Sequence, residues 1–288
     1  MQRPPSNAGR TSINPPPMPA ARSPSCAMNE LRAIDRLDTG PRFTDHDAVR
    51  LNRMFRGSST EEMLESVIRD GLAGDVTTVS SFGAESAVLL HLLAQVDPGI
   101  PVLFLETGKH FPETLAYRDD LVERIGLTNL INLYPDLSEL ETKDETGLRW
   151  SYDPDGCCEI RKVKPLARAL SEYDASFTGR KAFQNSERAN LPRFEIDTSD
   201  AQGRLKINPL IDWDASQIEA YFIQHDLPRH PLVAQGYPSI GCSPCTHKVA
   251  PGEDPRSGRW RGWDKTECGI HMPGSDDGDL PPGYDPAF

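Results

Sequence analysis

The stretch V-T-T-V-S-S-F-G-A-E-S-A-V-L-L-H-L-L-A-Q-V, residues 76–96, decides the fold. V-T-T-V-S (76–80) has the composition of a buried strand, S-F-G-A-E-S (81–86) is a Gly-containing loop, and A-V-L-L-H-L-L-A-Q-V (87–96) is a helix. The alternation continues. P-V-L-F-L-E (101–106) reads as a strand, P-E-T-L-A-Y-R-D-D-L-V-E-R-I (112–125) as a helix, and N-L-I-N-L-Y (129–134) as a strand. This spacing means βαβ units, so the reading is an α/β chain with a parallel sheet flanked by helices. Ahead of it, S-T-E-E-M-L-E-S-V-I-R-D-G-L opens at Ser59 with a capping box to Glu62 and stops at Gly71, the signature of one more helix.

In such sheets ligands bind beyond the carboxyl ends of the strands, which points to the loops at 80–86 and 106–111. The first of these leads into a helix N-terminus, where free N–H groups and the helix dipole favour an anion. A Gly turn before a helix is also ordinary punctuation. The loop is not G-x-x-x-x-G-K-[ST], which argues against a Walker-type ATPase. A second candidate anion site is F-T-G-R-K-A-F-Q-N-S-E-R-A-N-L-P-R-F-E (177–195), which concentrates Arg180, Lys181, Arg188 and Arg193. Its plain alternative is a solvated basic face.

The whole chain sets limits on partners. At 288 residues and 37% hydrophobic it can bury one sizeable core. A formal charge of −12 argues against nucleic acid, which needs a basic surface to displace counterions. No apolar run approaches the roughly 20 residues needed to cross a bilayer, so no membrane association is expected. Residues 1–29 carry no Asp or Glu and much Pro, Ser and Arg, a composition that cannot bury enough apolar surface to fold. The expected layout is a disordered segment at 1–41, a nucleotide-binding domain at 42–240, a C-terminal catalytic arm with a second cysteine pair at 241–271, and a disordered acidic tail at 272–288.

Six cysteines without a signal-peptide pattern point to a reducing, cytoplasmic setting and to metal or redox chemistry. Cys157 and Cys158 are adjacent in D-G-C-C-E-I-R-K-V-K-P-L, and Cys242 and Cys245 form C-S-P-C. Four thiolates suit either a tetrahedral zinc or a cubane iron–sulfur cluster, and inert buried thiols or disulfides are the plain alternatives. Adjacent cysteines are expected to point to opposite sides of the backbone and so to reach two metal atoms, which favours the cluster. His247 is a spare ligand in the zinc reading. Cys268, in K-T-E-C-G-I-H (265–271), stands alone near R-S-G-R-W-R (256–261), Lys265 and His271, whose positive charge favours a thiolate. Cys26 carries no assigned role.

Together these segments resemble the assimilatory sulfonucleotide reductases, specifically the cluster-containing adenylyl-sulfate (APS) reductases. The resemblance rests on S-F-G-A-E-S, F-L-E-T-G-K-H-F-P-E-T-L-A-Y-R (104–118), C-C-E-I-R-K-V-K-P-L (157–166), T-G-R-K-A-F-Q (178–184), I-G-C-S-P-C-T (240–246), R-S-G-R-W and K-T-E-C-G-I-H. It implies a Rossmann-like, adenine nucleotide α-hydrolase fold of the PP-loop type, and one [4Fe-4S] cluster on Cys157, Cys158, Cys242 and Cys245. It further implies that Ser80, Ser81, Gly83 and Ser86 lie at the α-phosphate side of the nucleotide, and Leu105 and Thr107 at the adenosine. Lys162, Gly179, Arg180, Arg256 and Arg259 match positions that bind substrate, and His271 closes the catalytic motif.

In this resemblance Cys268 is the nucleophile. It attacks the sulfur of APS, AMP leaves, and thioredoxin releases sulfite from the Cys268 S-sulfonate, with the cluster acting by charge and order rather than by electron transfer. No W-C-G-P-C-like sequence occurs in the chain, so the dithiol is a separate protein. A homo-oligomer is compatible with the family. Two departures stand out: Glu106 replaces a more usual Asp, and the S-G-G-K-D-S loop of related enzymes has become S-F-G-A-E-S, without its Lys. A 3′-phosphoadenylyl-sulfate (PAPS) reductase, which generally lacks the cysteine pairs, and a zinc-stabilised nucleotide-binding module are the competing readings.

Overall fold

The computed structural model describes residues 41–184, 188–200, 202–265 and 269–270. The segments expected to be disordered fall outside these residues, Pro41 apart, as do Cys26, Cys268 and His271. Two short amphipathic helices come first, α1 (Asp45–Met54) and α2 (Thr60–Arg69). Both open on a complete capping box, Thr44 with Asp47 and Ser59 with Glu62, as the sequence indicates for the second. α2 buries Met63, Leu64 and Val67, the i, i+1, i+4 stripe that lays it against the core.

The alternating unit follows as read: β1 (Val76–Val79), α3 (Ser86–Val96), β2 (Val102–Leu105), α4 (Pro112–Ile125) and β3 (Leu130–Leu133). Pro112 occupies the first turn of α4, where its missing N–H costs nothing, and Gly126 ends the helix in the left-handed region at φ 74°. α5 (Leu137–Lys143) leads to a nearly continuous helical rod. The rod consists of α6 (Pro154–Cys158), a π-helical turn (Glu159–Val163) and α7 (Lys164–Leu170). After it come β4 (Ala175–Phe177), β5 (Phe194–Ile196), β6 (Leu205–Ile207) and α8 (Ala215–Gln224).

Among the described residues the strands form one sheet in the order β3-β2-β1-β4-β6-β5. All neighbours are parallel except β5 against β6. The Rossmann-like reading is borne out, and the antiparallel edge is the correction to a purely parallel sheet. Its reason is length: residues 197–204 are too few for a crossover and close a hairpin instead. The connection is braced by a buried ion network. Asp197 pairs with Arg204 at 2.7 Å and with Lys206 at 2.8 Å. Burial opposes ionisation of Asp197, but Lys206, with hydrogen bonds from Ser199 and Arg204, outweighs it and holds the carboxyl well below the usual range.

The core is built on both faces of this sheet. Phe104, Phe177 and Phe194 are wholly buried, with Leu90 and Leu93 of α3, and each large side chain contributes about 1.5–3 kcal/mol of transfer free energy. β2 is buried along its entire length, as a strand covered on both faces must be. Because the chain runs from β1 outward to β2 and β3, then returns beside β1 as β4, the strand order reverses between β1 and β4. That reversal opens a crevice at their carboxyl ends.

Outside the lining of the crevice, His230 is completely buried against Tyr117, with Nε2 3.1 Å from Thr114 Oγ1, while Nδ1 accepts from the Leu232 N–H. Burial lowers its pKa to about 4, whereas an unfolded chain binds a proton near 6.5. A depressed value means stability present above pH 6.5 and lost as pH falls toward 4. Denaturant titrations should therefore show a loss of about 2 kcal/mol between pH 7 and pH 5 from this group. His230→Gln should flatten that part of the profile.

Candidate active site

The first wall of the crevice is the loop after β1. Ser80 Oγ accepts from the Phe82 N–H at 3.1 Å, and Ser86 Oγ donates to the Gly83 carbonyl at 2.7 Å. Phe82 turns the chain with a positive φ of 48° while its ring is buried edge-on to Phe104. A non-glycine residue in this region costs of order 1–3 kcal/mol, offset here by the burial of the ring. The strain bends the loop so that it delivers its hydroxyls and the start of α3 to the crevice. Glu85 caps α3 without a side-chain hydrogen bond to the helix, and its carboxylate pairs instead with Lys181 at 2.8 Å.

The second wall follows β4. Thr178 Oγ1 donates to Asn208 Oδ1 at 2.5 Å, and Arg180 Nε shares both oxygens at 3.2 and 3.1 Å. Glu195 on β5 holds the other end of the guanidinium. Lys181 is buried, which lowers its pKa against the opposing pull of Glu85. Gln184 Nε2 donates to Glu85 at 3.3 Å and Gln184 Oε1 accepts from Arg188 at 2.5 Å, so the two walls are cross-braced before any ligand arrives. Arg193 does not belong to this group. It pairs with Asp212 at 2.8 Å and donates to the Ser58 carbonyl, away from the crevice, which corrects the four-residue basic cluster read from the sequence.

A cleft of about 430 Å³ lies between these walls. The substrate-binding residues expected from the sequence and placed among the described residues all line it: Ser80, Ser81, Gly83, Ser86, Leu105, Thr107, Lys162, Gly179, Arg180, Arg256 and Arg259. They come from five separate segments of the chain. Cys268 and His271 lie outside the described residues, but Ile270, between them, lines the cleft. The sequence did not single out Trp260, His110 or the Asp197–Lys206 pair, which also contribute to the lining. Trp260 carries a signal of its own, a positive φ of 47°, and the Arg259 guanidinium lies 4.5 Å from its ring centroid.

Gly241 makes room for that arginine. A Cβ at residue 241 would collide with the Arg259 guanidinium, the flexible end of its side chain.

Cys157, Cys158, Cys242 and Cys245 are not in disulfides and line one small cavity, together with Lys109, Trp150, Pro154, Arg161, Lys162 and Pro244. Adjacent positions on α6 are about 100° apart rather than opposed, so Cys157 and Cys158 both face this cavity, contrary to the sequence expectation. Cys242 and Cys245 reach it from the single 3₁₀ turn Ser243–Cys245 and its cap. Among the described residues no three His, Cys, Asp or Glu side chains are grouped to hold a single metal ion, and the exposed His247 does not line the cavity. Burial pushes Cys157 and Cys245 up to about 11. Against burial, Lys162, a hydrogen bond with Thr107 and Arg259 bring Cys242 below its ordinary value.

Lys162 and Cys242 line both the cleft and the cysteine cavity, so the two share a wall. The π-helical turn presents Arg161 and Lys162 together at this wall. Arg161 is buried in an ion pair with Asp144 at 2.6 Å and donates to the Thr107 carbonyl at 2.8 Å. A donor set of four thiols surrounded by Arg161, Lys162 and Arg259 fits an anionic polynuclear cluster, whose charge these cations offset.

The sheet order and the cleft at its switch point define a Rossmann-like protein of the α/β class. Residues 75–248 match the phosphoadenosine phosphosulfate reductase domain. The chain is 50% identical over 235 residues to the adenosine 5′-phosphosulfate reductase of Chelativorans sp., covering 81% of this chain and 94% of that protein. It is 47% identical over 243 residues to the adenosine 5′-phosphosulfate reductase of Mesorhizobium japonicum, covering 84% and 94%. A solved structure of phosphoadenylyl-sulfate reductase from Candida auris, a phosphate complex, superimposes with a TM-score of 0.59 at 26% identity, over 73% of this chain and 100% of that one. The chain belongs to the sulfonucleotide reductase family.

The Gly241→Ala protein should keep its stability, since only a mobile guanidinium has to move. Displacing Arg259 should weaken binding of pyrophosphate, used as a polyanion probe, by roughly tenfold in calorimetric titration, the scale of one charge-assisted hydrogen bond.

Proposed function

We propose that the chain reduces adenylyl sulfate to sulfite and AMP with thioredoxin as the electron donor, as part of sulfate assimilation. The observation that carries this reading is the shared wall: a nucleotide-sized cleft lined by Lys162, Arg180, Arg256 and Arg259 meets a cavity of four thiols at Lys162 and Cys242. The two curated relatives bear the name adenosine 5′-phosphosulfate reductase, which favours adenylyl sulfate over its 3′-phosphorylated analogue.

The α3 N-terminus, Ser81 and Ser86 receive the α-phosphate, while Leu105 and Thr107 lie at the adenosine. Arg256, Arg259, Arg180 and Lys162 orient the phosphosulfate and stabilise charge as the sulfur–oxygen bond breaks. Cys268 supplies the thiolate. It bonds to the sulfonyl sulfur, AMP departs with the bonding electron pair, and Cys268 is left as an S-sulfonate. One thiol of thioredoxin then attacks the Cys268 sulfur and releases sulfite, and the second thiol resolves the mixed disulfide, so that thioredoxin is oxidised and Cys268 is restored. His271 closes the motif around the nucleophile. Cys157, Cys158, Cys242 and Cys245 would hold one [4Fe-4S] cluster, whose chemistry here is a fixed charge that orders Lys162 and the substrate wall.

Protein purified without oxygen should be brown and carry about four irons per chain. A folded, colourless preparation rich in zinc would instead establish a structural zinc module. Sulfite release with thioredoxin, assayed side by side on adenylyl sulfate and its 3′-phosphorylated analogue, tests the substrate: faster turnover of the former is expected. Cys268→Ser should bind AMP normally yet give no covalent adduct by mass spectrometry, and sulfite formation at the parent rate would eliminate the mechanism.

A further inference from the structure

The C-terminal segment meets the rest of the fold on both sides of residues 266–268. On one side, the Lys265 side chain is only 7% exposed; its ammonium pairs with Asp155 and lies 5.5 Å from the Trp260 ring centroid. On the other, Ile270 packs with Leu103, Leu105, Leu166 and Leu170 and lines the cleft. The whole Lys265 side chain is thus covered, and the Asp155 side chain that meets its ammonium is itself 77% exposed. Asp155 is not a cleft residue. It stands in the first turn of α6, on the helix that carries Cys157 and Cys158.

We propose that Asp155 is a positioning residue: by holding Lys265 against Trp260 it fixes where the C-terminal segment approaches the cleft. The proposal rests on the reductase reading only in that this segment carries Cys268. Five residue steps separate Lys265 from Ile270, a reach of at most roughly 17 Å. Lys265 and Ile270 are both held by the fold, so the two points that bracket Cys268 in the sequence are fixed in advance, and ordering them costs no further conformational entropy during the reaction. The backbone beneath this contact is pinned, because the Trp260 backbone N–H donates to the Cys245 carbonyl at 3.1 Å.

Limited trypsin digestion of the full chain, read by mass spectrometry, tests this. Cleavage after Lys265 is compared with cleavage after Arg261, whose half-exposed side chain reports general loosening of the same region. Asp155→Asn should raise the ratio of the two cuts by roughly twofold to fivefold, the scale of one partly exposed ion pair. Asp155→Glu, which keeps the carboxylate, should restore the parent ratio. The same ratio in Asp155→Asn as in the parent, or equal loosening by both substitutions, would overturn the proposal. Digestion requires no turnover, so failure of the reductase reading and failure of this one are separately visible.

Discussion

The turn after β2 is the constraint on which the site depends. Arg161 donates to the Thr107 carbonyl, Thr107 Oγ1 lies 3.5 Å from Cys242 Sγ, and the Ser243 N–H donates to the Lys109 carbonyl at 2.7 Å. Glu106 secures the same turn by accepting from the Gly108 N–H at 2.9 Å, and Lys109 donates to the Gly147 carbonyl at 2.6 Å. Four residues thus tie together β2, the helix bearing one cysteine pair and the turn bearing the other. Asp144 makes the arrangement possible. It neutralises the buried Arg161, which would otherwise be a costly uncompensated charge, and burial of its own carboxyl is outweighed by that partner.

Much of this was legible in the sequence because the relevant signals are local. The strand-and-helix alternation from 76 to 134 yields its elements within one or two residues, since each pairs a short apolar run with a clear cap or stop. The loops at 80–86 and 106–111 were legible as well, because helix N-termini and strand ends carry function wherever this topology occurs, whereas Lys162, Arg256 and Arg259 were reached only through the family resemblance. β5 and β6 escaped notice. They are three residues long, and Glu195 and Lys206 break any alternation, because those side chains serve Arg180 and Asp197 rather than solvent.

The basic cluster shows the limit more sharply. Composition alone puts Arg193 beside Arg180 and Lys181, yet the chain turns between them, and Asp212 draws Arg193 outward. Nor does composition reveal that Glu85 and Glu195 already hold Lys181 and Arg180. These pairings depend on side chains brought together across about 100 and 15 positions of sequence, and pairing at such range follows from the tertiary fold. The cysteines were misjudged for a related reason. Whether neighbours diverge depends on the backbone, and a helix sets them about 100° apart where a strand would oppose them.

The π-helical turn at Glu159–Val163 has a consequence for how this region can change. A π turn is a helix that has accommodated one additional residue without breaking. Remove a residue there and the helix regularises, rotating all that follows by about 100° relative to the cysteine pair. Lys162 would leave the shared wall, and Leu166 and Leu170 would leave the apolar cluster that receives Ile270. The rod is constrained by more than the identity of its side chains. Its residue count cannot change without altering which groups face one another, so the length of this segment is itself a determinant of the chemistry.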